Sequence, residues 1–485
     1  MTFLRRLYPL IPFALALLGT SPLLALLPRG LPHLLPPKDL DVVVLSLGLA
    51  ASGTLLALGL GLALAYLALM GGVSRLWEGV FLLSYLVPPF VTGMGLLFTL
   101  QELGLKAYGV PGILLAWTLH YAPLAYLLLK PQVQAALPLL QAARVHGLKG
   151  WKRLYAFLPP LLPSLLVTGG ALYLALLGNF GVPAVLGLPE RVYTLPTLAY
   201  ARLTSPLAQD PIGEAAALGL WLGLLALPAI LLARPALLEA HPALPEGRRG
   251  GFRLLFATYS LFALGLSLFG LLREALLNPY TGAWDPAFAR AWELPLVRQG
   301  LLHSLLLALL TTGVLLALAL VVRPFPHTMR SLRQSLDLAY LLPGTLLGIG
   351  LILLLAPTRL YATPALLLLA YLWNFASLAL RAVEGGVKVE EMVLAGRVHG
   401  LSLPKAWARV GYPLLLPSAF AGAFLIFPLA VSEITLSSLL YAPGAETVGV
   451  AVLSALNGGL YREAASLGLL LLALAALGLL GRPRW

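Results

Sequence analysis

Few residues of this chain are placed to do covalent or metal chemistry. The 485 residues contain no Cys, which excludes a disulfide framework and a thiolate metal site. His33, His120, His241, His303 and His327 show no ligand spacing. A phosphate-cradling loop needs Lys directly after Gly. The seven lysines follow Pro, Leu, Leu, Leu, Trp, Val and Pro, so the chain has no nucleotide site and needs no cofactor of its own. No nucleophile, acid–base pair and orienting group converge, which argues against an enzyme.

The two other histidines lie in a stretch that occurs twice. Arg144-Val145-His146-Gly147-Leu148 and Arg397-Val398-His399-Gly400-Leu401 are identical, and each Gly is followed 13 residues later by a Pro. Gly147 and Gly400 each follow a helix-compatible run, so each permits a left-handed turn that lets two helices meet at an angle. Small residues precede them (Ala142, Ala143; Ala395, Gly396), suited to lying in a partner's groove. Basic and aromatic residues follow (Lys149, Trp151, Lys152, Arg153, Tyr155; Lys405, Trp407, Arg409), suited to lipid headgroups. One such stretch would read as an ordinary basic loop; two copies at equal spacing read as a docking device.

The elements that must position these stretches are membrane helices. The chain is 60% hydrophobic and 11% charged, with mean hydropathy +0.91; a soluble protein carries roughly 25% charged residues. Long apolar runs predict an all-α polytopic membrane protein. Twelve charge-poor intervals match a span of about 20 residues: near 8–28, 42–69, 80–101, 111–129, 158–178, 214–233, 254–272, 300–322, 338–356, 362–380, 413–432 and 464–481. No small-x-small cleavage site follows the first interval, so it reads as a span and not a signal peptide. The net charge of +13 fits basic loops retained in the cytoplasm and not a nucleic-acid partner. With both termini cytoplasmic, 22 of the 32 Lys and Arg residues fall inside, and so do both repeated stretches.

The repeat extends further. Tyr85-Leu86-Val87-Pro88 precedes Gly93 and Gly95, and Tyr340-Leu341-Leu342-Pro343 precedes Gly348 and Gly350. These Gly pairs are expected to serve close helix packing. Six helices followed by six predict two pseudo-symmetric halves about an axis along the membrane normal, with any solute path between them. Helices near 85–101, 158–180, 340–356 and 413–433 are expected to line that path. Asn179 and Glu433 occupy equivalent positions and are expected to face each other across the axis; an acidic group at membrane depth is a candidate functional group. Asp337 is expected at the end of a cytoplasmic loop, and Arg191 and Arg202 on the outer segment 179–213.

The repeated stretch resembles the EAA loop of permease subunits in binding-protein-dependent ABC importers. The resemblance covers Gln141-Ala142-Ala143, Gly147, Phe157 and Pro160 in one copy, and Leu394-Ala395-Gly396, Gly400, Val410 and Pro413 in the other. Gln141 and Leu394 stand where the family has Glu, and Glu391 lies one turn before Leu394 on the same helix face. The resemblance implies the type I importer fold as two fused permease domains, 1–235 and 253–485, joined by a cytoplasmic linker at 236–252. Loops 134–160 and 387–413 would be coupling elements docked on an ABC ATPase dimer that binds ATP, through Gln141, Ala142, Ala143, Arg144, His146 and Gly147 and through Glu391, Leu394, Ala395, Arg397, His399 and Gly400. A solute-binding protein outside the cell (inner) membrane would deliver the cargo.

Asn179-Phe180-Gly181 and Ser432-Glu433-Ile434-Thr435 resemble the ferric-iron group, so ferric iron is the expected cargo, with thiamine, a phosphonate or a polyamine as alternatives. An ion-coupled secondary transporter is the competing class, but it needs charges within its helices, and the interiors of the intervals carry none. The topology has a direct check, because the chain is free of Cys. A cysteine introduced at Gly150 should resist a membrane-impermeant thiol reagent added to intact cells; labelling from outside would refute the assignment.

Overall fold

The computed structural model describes residues 10–34, 39–149, 152–232, 250–384 and 389–480. Gly150, Trp151, residues 385–388 and most of the expected linker lie outside the described residues, while 250–252 already form the start of a helix. Among the described residues every regular element is helical; the β contact is an isolated bridge between Leu277 and Trp284.

The helices that matter for the site follow in chain order. They begin with α1 (Leu10–Leu34), α2 (Leu40–Gly71), α3 (Arg75–Leu86), α4 (Pro89–Glu102), α5 (Val110–Val145) and α6 (Lys152–Leu177). Short α7 (Gly181–Leu186) and α8 (Leu195–Thr204) precede α9 (Pro211–Leu232). Then come α10 (Gly250–Leu276), α11 (Phe288–Glu293), α12 (Pro295–Val322), α13 (Pro326–Leu341), α14 (Gly344–Leu355), α15 (Pro364–Glu384) and α16 (Val389–Val398). The chain continues through α17 (Leu403–Ala406), a π-turn (Trp407–Gly411), α18 (Tyr412–Val431), α19 (Thr435–Leu439), α20 (Val448–Asn457) and α21 (Tyr461–Leu480).

Among the described residues, eight helices are long and apolar enough to cross a membrane, or nine spans if the bent pair α3–α4 is one. Their outward faces carry apolar side chains: Leu55 is 70% exposed, and Leu309 and Phe420 are 63% exposed. Such faces fit hydrocarbon as solvent. The chain is therefore a polytopic, all-helical membrane protein.

The structure corrects the expectation of one continuous span at 80–101. α3 and α4 meet at 96°. Val87 is extended and Pro88, at φ −55° and ψ 141°, starts a new helix. Proline lacks the N–H that would continue α3 and drives its predecessor out of the helical region. Pro343, at φ −53° and ψ 133°, separates α13 from α14 in the same way.

These bent pairs are crossed by helices distant in sequence. α10 packs on α3 and α4, and α1 packs on α13 and α14. At the first crossing a methyl built on Gly95 would lie 2.2 Å from the Ser267 carbonyl oxygen, and one on Gly270 would lie 2.3 Å from the Gly95 carbonyl oxygen. At the second, a methyl on Gly350 would lie 2.1 Å from the Pro22 carbonyl oxygen. The packing role expected of Gly95 and Gly350 is thus met by backbone-to-backbone contact. Thr99 Oγ1 donates to the Leu266 carbonyl at 2.5 Å and ties the first crossing.

Gly95→Ala and Gly350→Ala should each destabilise the protein by about 1–3 kcal/mol, because the added carbon has no room without moving backbone. Gly48→Ala and Gly59→Ala, where nothing lies within 4 Å, should be neutral or slightly stabilising. Thermal unfolding of the detergent-solubilised chain measures the difference.

Candidate functional site

Both repeated stretches form the same object: a helix end closed by a left-handed glycine. α5 runs through Gln141, Ala142 and Ala143 to Val145, and Gly147 has φ +74°. α16 runs through Leu394 and Ala395 to Val398, and Gly400 has φ +89°. The hydrogen bonds that close them correspond one to one. Gly147 N–H donates to the Arg144 carbonyl and Leu148 N–H to the Ala143 carbonyl, both at 3.0 Å. Gly400 N–H donates to the Arg397 carbonyl at 3.0 Å and Leu401 N–H to the Gly396 carbonyl at 3.1 Å. These bonds satisfy carbonyls that a helix end leaves orphaned.

The two turns present similar surfaces. Gln141, Ala142, Arg144, His146 and Gly147 are exposed, as are Glu391, Leu394, Ala395, Arg397, His399 and Gly400; Ala143 is buried. Val145 is 85% and Val398 79% exposed, although both are apolar. An exposed β-branched residue beside a turn, twice, fits a surface that a partner covers.

The undersides are held by separate apolar clusters. Beneath the first lie Phe81, Tyr126, Leu137, Phe157 and Phe256, with Phe81 edge-on to Tyr126 and Phe256 at 5.3 Å. Beneath the second lie Met329, Val383, Val389, Val393 and Trp407.

The supports of the two stretches differ. The first is the end of the continuous 36-residue α5, and Lys130 within it pairs with Glu78 of α3 at 2.5 Å. The second is a separate helix of 10 residues. Arg323, buried at the end of α12, ties it down by donating to Glu390 and, at 3.3 Å, to the Val383 carbonyl. The Arg323 guanidinium holds the Glu390 carboxyl below the usual carboxylate range. The sequence signal passed over Glu390 for its neighbour Glu391. Only the inward Val389 and Val393, one turn apart, hint that Glu390 flanks the buried face.

Asn179 and Glu433 lie on neighbouring segments, each occupied with its own turn. A methyl built on Gly181 would lie 3.3 Å from Ile434 Cγ2, and one on Gly178 3.0 Å from Pro343 Cβ. Val182 N–H donates to Asn179 Oδ1 at 3.0 Å, and Asn179 Nδ2 donates to the Tyr121 hydroxyl at 3.0 Å. Glu433 Oε1 accepts from Thr435 and Leu436 N–H at 2.9 Å, and its Oε2 accepts from Ser437 N–H at 3.0 Å. Both residues therefore cap the short helices that follow them.

One other expectation is corrected. Asp337 is not at a loop end but within α13, where it accepts from Ser377 and pairs with Arg381 at 2.8 Å. Arg202 bridges Asp39 at 2.9 Å and Glu214 at 3.3 Å. Among the described residues no His, Cys, Asp or Glu group could hold a metal ion.

The tie at Glu390 has a pH signature. Its folded pKa is depressed, so its contribution is present above the ordinary Glu value of about 4.3 and is lost as pH falls through the lower folded value. Glu390→Gln should mimic that loss at pH 7. Hydrogen-exchange protection should drop across 389–398 and stay unchanged across 134–145, which lies on a different helix from the Arg323–Glu390 pair. Compared with known proteins by sequence and by structure, the chain matches no family model, no curated protein and no solved structure.

Proposed function

We propose that the chain is the fused permease subunit of a type I ABC importer in the cell membrane. The observation that carries the reading is the same exposed, glycine-closed helix end built twice, in a chain without a nucleotide motif. A device that docks on an ATPase dimer must occur twice, and the ATP must be bound by that partner. Loops 134–160 and 387–413 are then the coupling elements, and a solute-binding protein delivers cargo from the other side.

In this reading the spans number twelve. To the eight long helices and the bent α3–α4 are added α1, the pair α13–α14 broken at Pro343, and α21. The order of elements from α1 to α9 returns from α10 to α21, which supports two halves. Equivalent details support it too. Ser46 Oγ accepts from the first N–H of α8 (Leu195) at 2.9 Å, and Ser304 Oγ from the first N–H of α20 (Val448) at 2.9 Å. Both termini and the linker are cytoplasmic on the count of basic residues. An ion-coupled transporter would use Glu433 as its membrane-depth carboxylate, and the three backbone N–H groups on its oxygens favour a structural cap instead. Ferric iron is the cargo favoured by the sequence resemblance, ahead of thiamine, a phosphonate or a polyamine.

The test is ATPase stimulation of the reconstituted complex by the loaded binding protein. A β-carbon at Gly147 or Gly400 meets no atom within 4 Å, so the harm of Val comes from backbone strain, about 1–2 kcal/mol for a β-carbon in the left-handed region. Gly147→Val and Gly400→Val should insert normally yet lose the stimulation. Full stimulation in both would overturn the coupling assignment.

A further inference from the structure

A cavity of about 610 Å³ opens where α8, α14, α19 and α20 meet, a size typical of small-molecule sites. Two helices present equivalent faces to it, Tyr200 and Thr204 on α8 and Ser454 and Asn457 on α20. Tyr361, Ser438 and Tyr441 complete its polar lining, and the remaining wall is aliphatic or proline. Among the described lining residues there is no Asp, Glu, Lys, Arg or His. Every polar group offered is a hydroxyl or an amide.

One of these groups is left waiting for a partner. Ser438 is 7% exposed, and its Oγ has no hydrogen-bond partner within the protein. A buried hydroxyl without a partner is a cost that a bound polar group removes. Tyr200, also in the lining, is edge-on to Phe180 at 5.4 Å. The Arg202 charge nearby on α8 is already bridged to Asp39 and Glu214 and is not a lining group.

We infer that this cavity is the chain's solute site and takes an organic molecule without net charge, held by hydroxyl and amide hydrogen bonds against aliphatic and tyrosine walls. A bare cation or an anionic group moved into it would lose hydration and meet no opposite charge. A polyamine, thiamine with its thiazolium cation, a phosphonate and a bare ferric ion are therefore poor occupants; a metal cargo enters only inside an organic shell that cancels its charge. The inference rests on the permease reading for the solute's passage, but the charge preference of the cavity does not.

The chain's lack of Cys gives a test that needs no knowledge of the solute. Ser454→Cys is made in the full-length protein in detergent. It is treated with neutral hydroxyethyl, cationic trimethylammonioethyl and anionic sulfonatoethyl methanethiosulfonates, each rate being divided by that with free 2-mercaptoethanol. The neutral reagent should exceed both charged ones by at least tenfold, and Thr204→Cys on the facing helix should repeat the pattern. A smaller gap for either charged reagent, or no labelling at either position, overturns the proposal. If the neutral preference holds while the chain forms no complex with an ATPase that a loaded binding protein stimulates, the cavity stands and the importer reading falls.

Discussion

Backbone-to-backbone contact at two helix crossings is the constraint from which the rest of the arrangement follows. α10 lies on α4 with Ser267 and Gly270 against Gly95, and α1 lies on α14 with Pro22 against Gly350. In hydrocarbon, helices gain nothing from hiding apolar surface from lipid, so association rests on close packing. Small residues permit that closeness, and the breaks at Pro88 and Pro343 aim α4 and α14 at the crossings. Because α1 and α10 each reach across to elements far away in sequence, neither end of the chain is a self-sufficient bundle. The bends also place Pro343 against Gly178 and Phe90 against Gly181, where the short helix α7 begins.

Those short helices bring many helix ends into the protein interior, and each end exposes N–H groups that lipid cannot satisfy. Polar side chains answer at these ends. Asn179 serves α7 and Glu433 serves α19. Ser46 and Ser304 reach across from α2 and α12 to α8 and α20, whose caps are Thr194 and Thr447. The polar residues that sequence alone marks as candidates for a pathway are thus engaged in holding the backbone around it. Among the buried groups left unpaired, Ser438 faces the cavity that they frame.

The sequence discloses what is local. The glycine-closed helix ends were legible because small residues, glycine and a basic stretch are adjacent in the chain, and the left-handed φ at Gly147 and Gly400 follows from them. The membrane class was legible from composition. The bend at Pro88 was masked by the evenly apolar run around it, although Val87-Pro88 carried the signal. The pairs Arg323–Glu390 and Arg202–Asp39 were not legible. Their partners lie 67 and 163 residues apart, and nothing in either segment names the other. The cavity was invisible for the same reason: its polar residues come from four separate segments, none of them unusual alone.

The two helix ends, alike in their turns, are unlike in how they connect to the membrane. Glu78 pairs with Lys130 on the first side, while at the equivalent positions on the second side Arg333 pairs with Glu384, with the charges exchanged. An exchange of both charges keeps the attraction within each pair and makes the crossed contacts, Glu78 with Glu384 and Lys130 with Arg333, repulsive. It therefore keeps α3 with α5 and α13 with α15, even though the crossings by α1 and α10 interleave the chain. Beyond that pair the mechanics diverge. A displacement at Val145 travels along one unbroken helix, α5, to Tyr121 and its bond with Asn179. A displacement at Val398 must pass through α16 into the Arg323 tie and the Trp407 cluster before it reaches α12 and α18. The first route is one helix with Pro123, Pro131 and Pro138 inside it, and the second runs through an ion pair and side-chain packing. Identical turns on unequal supports imply that the two ends respond to the same push by different amounts.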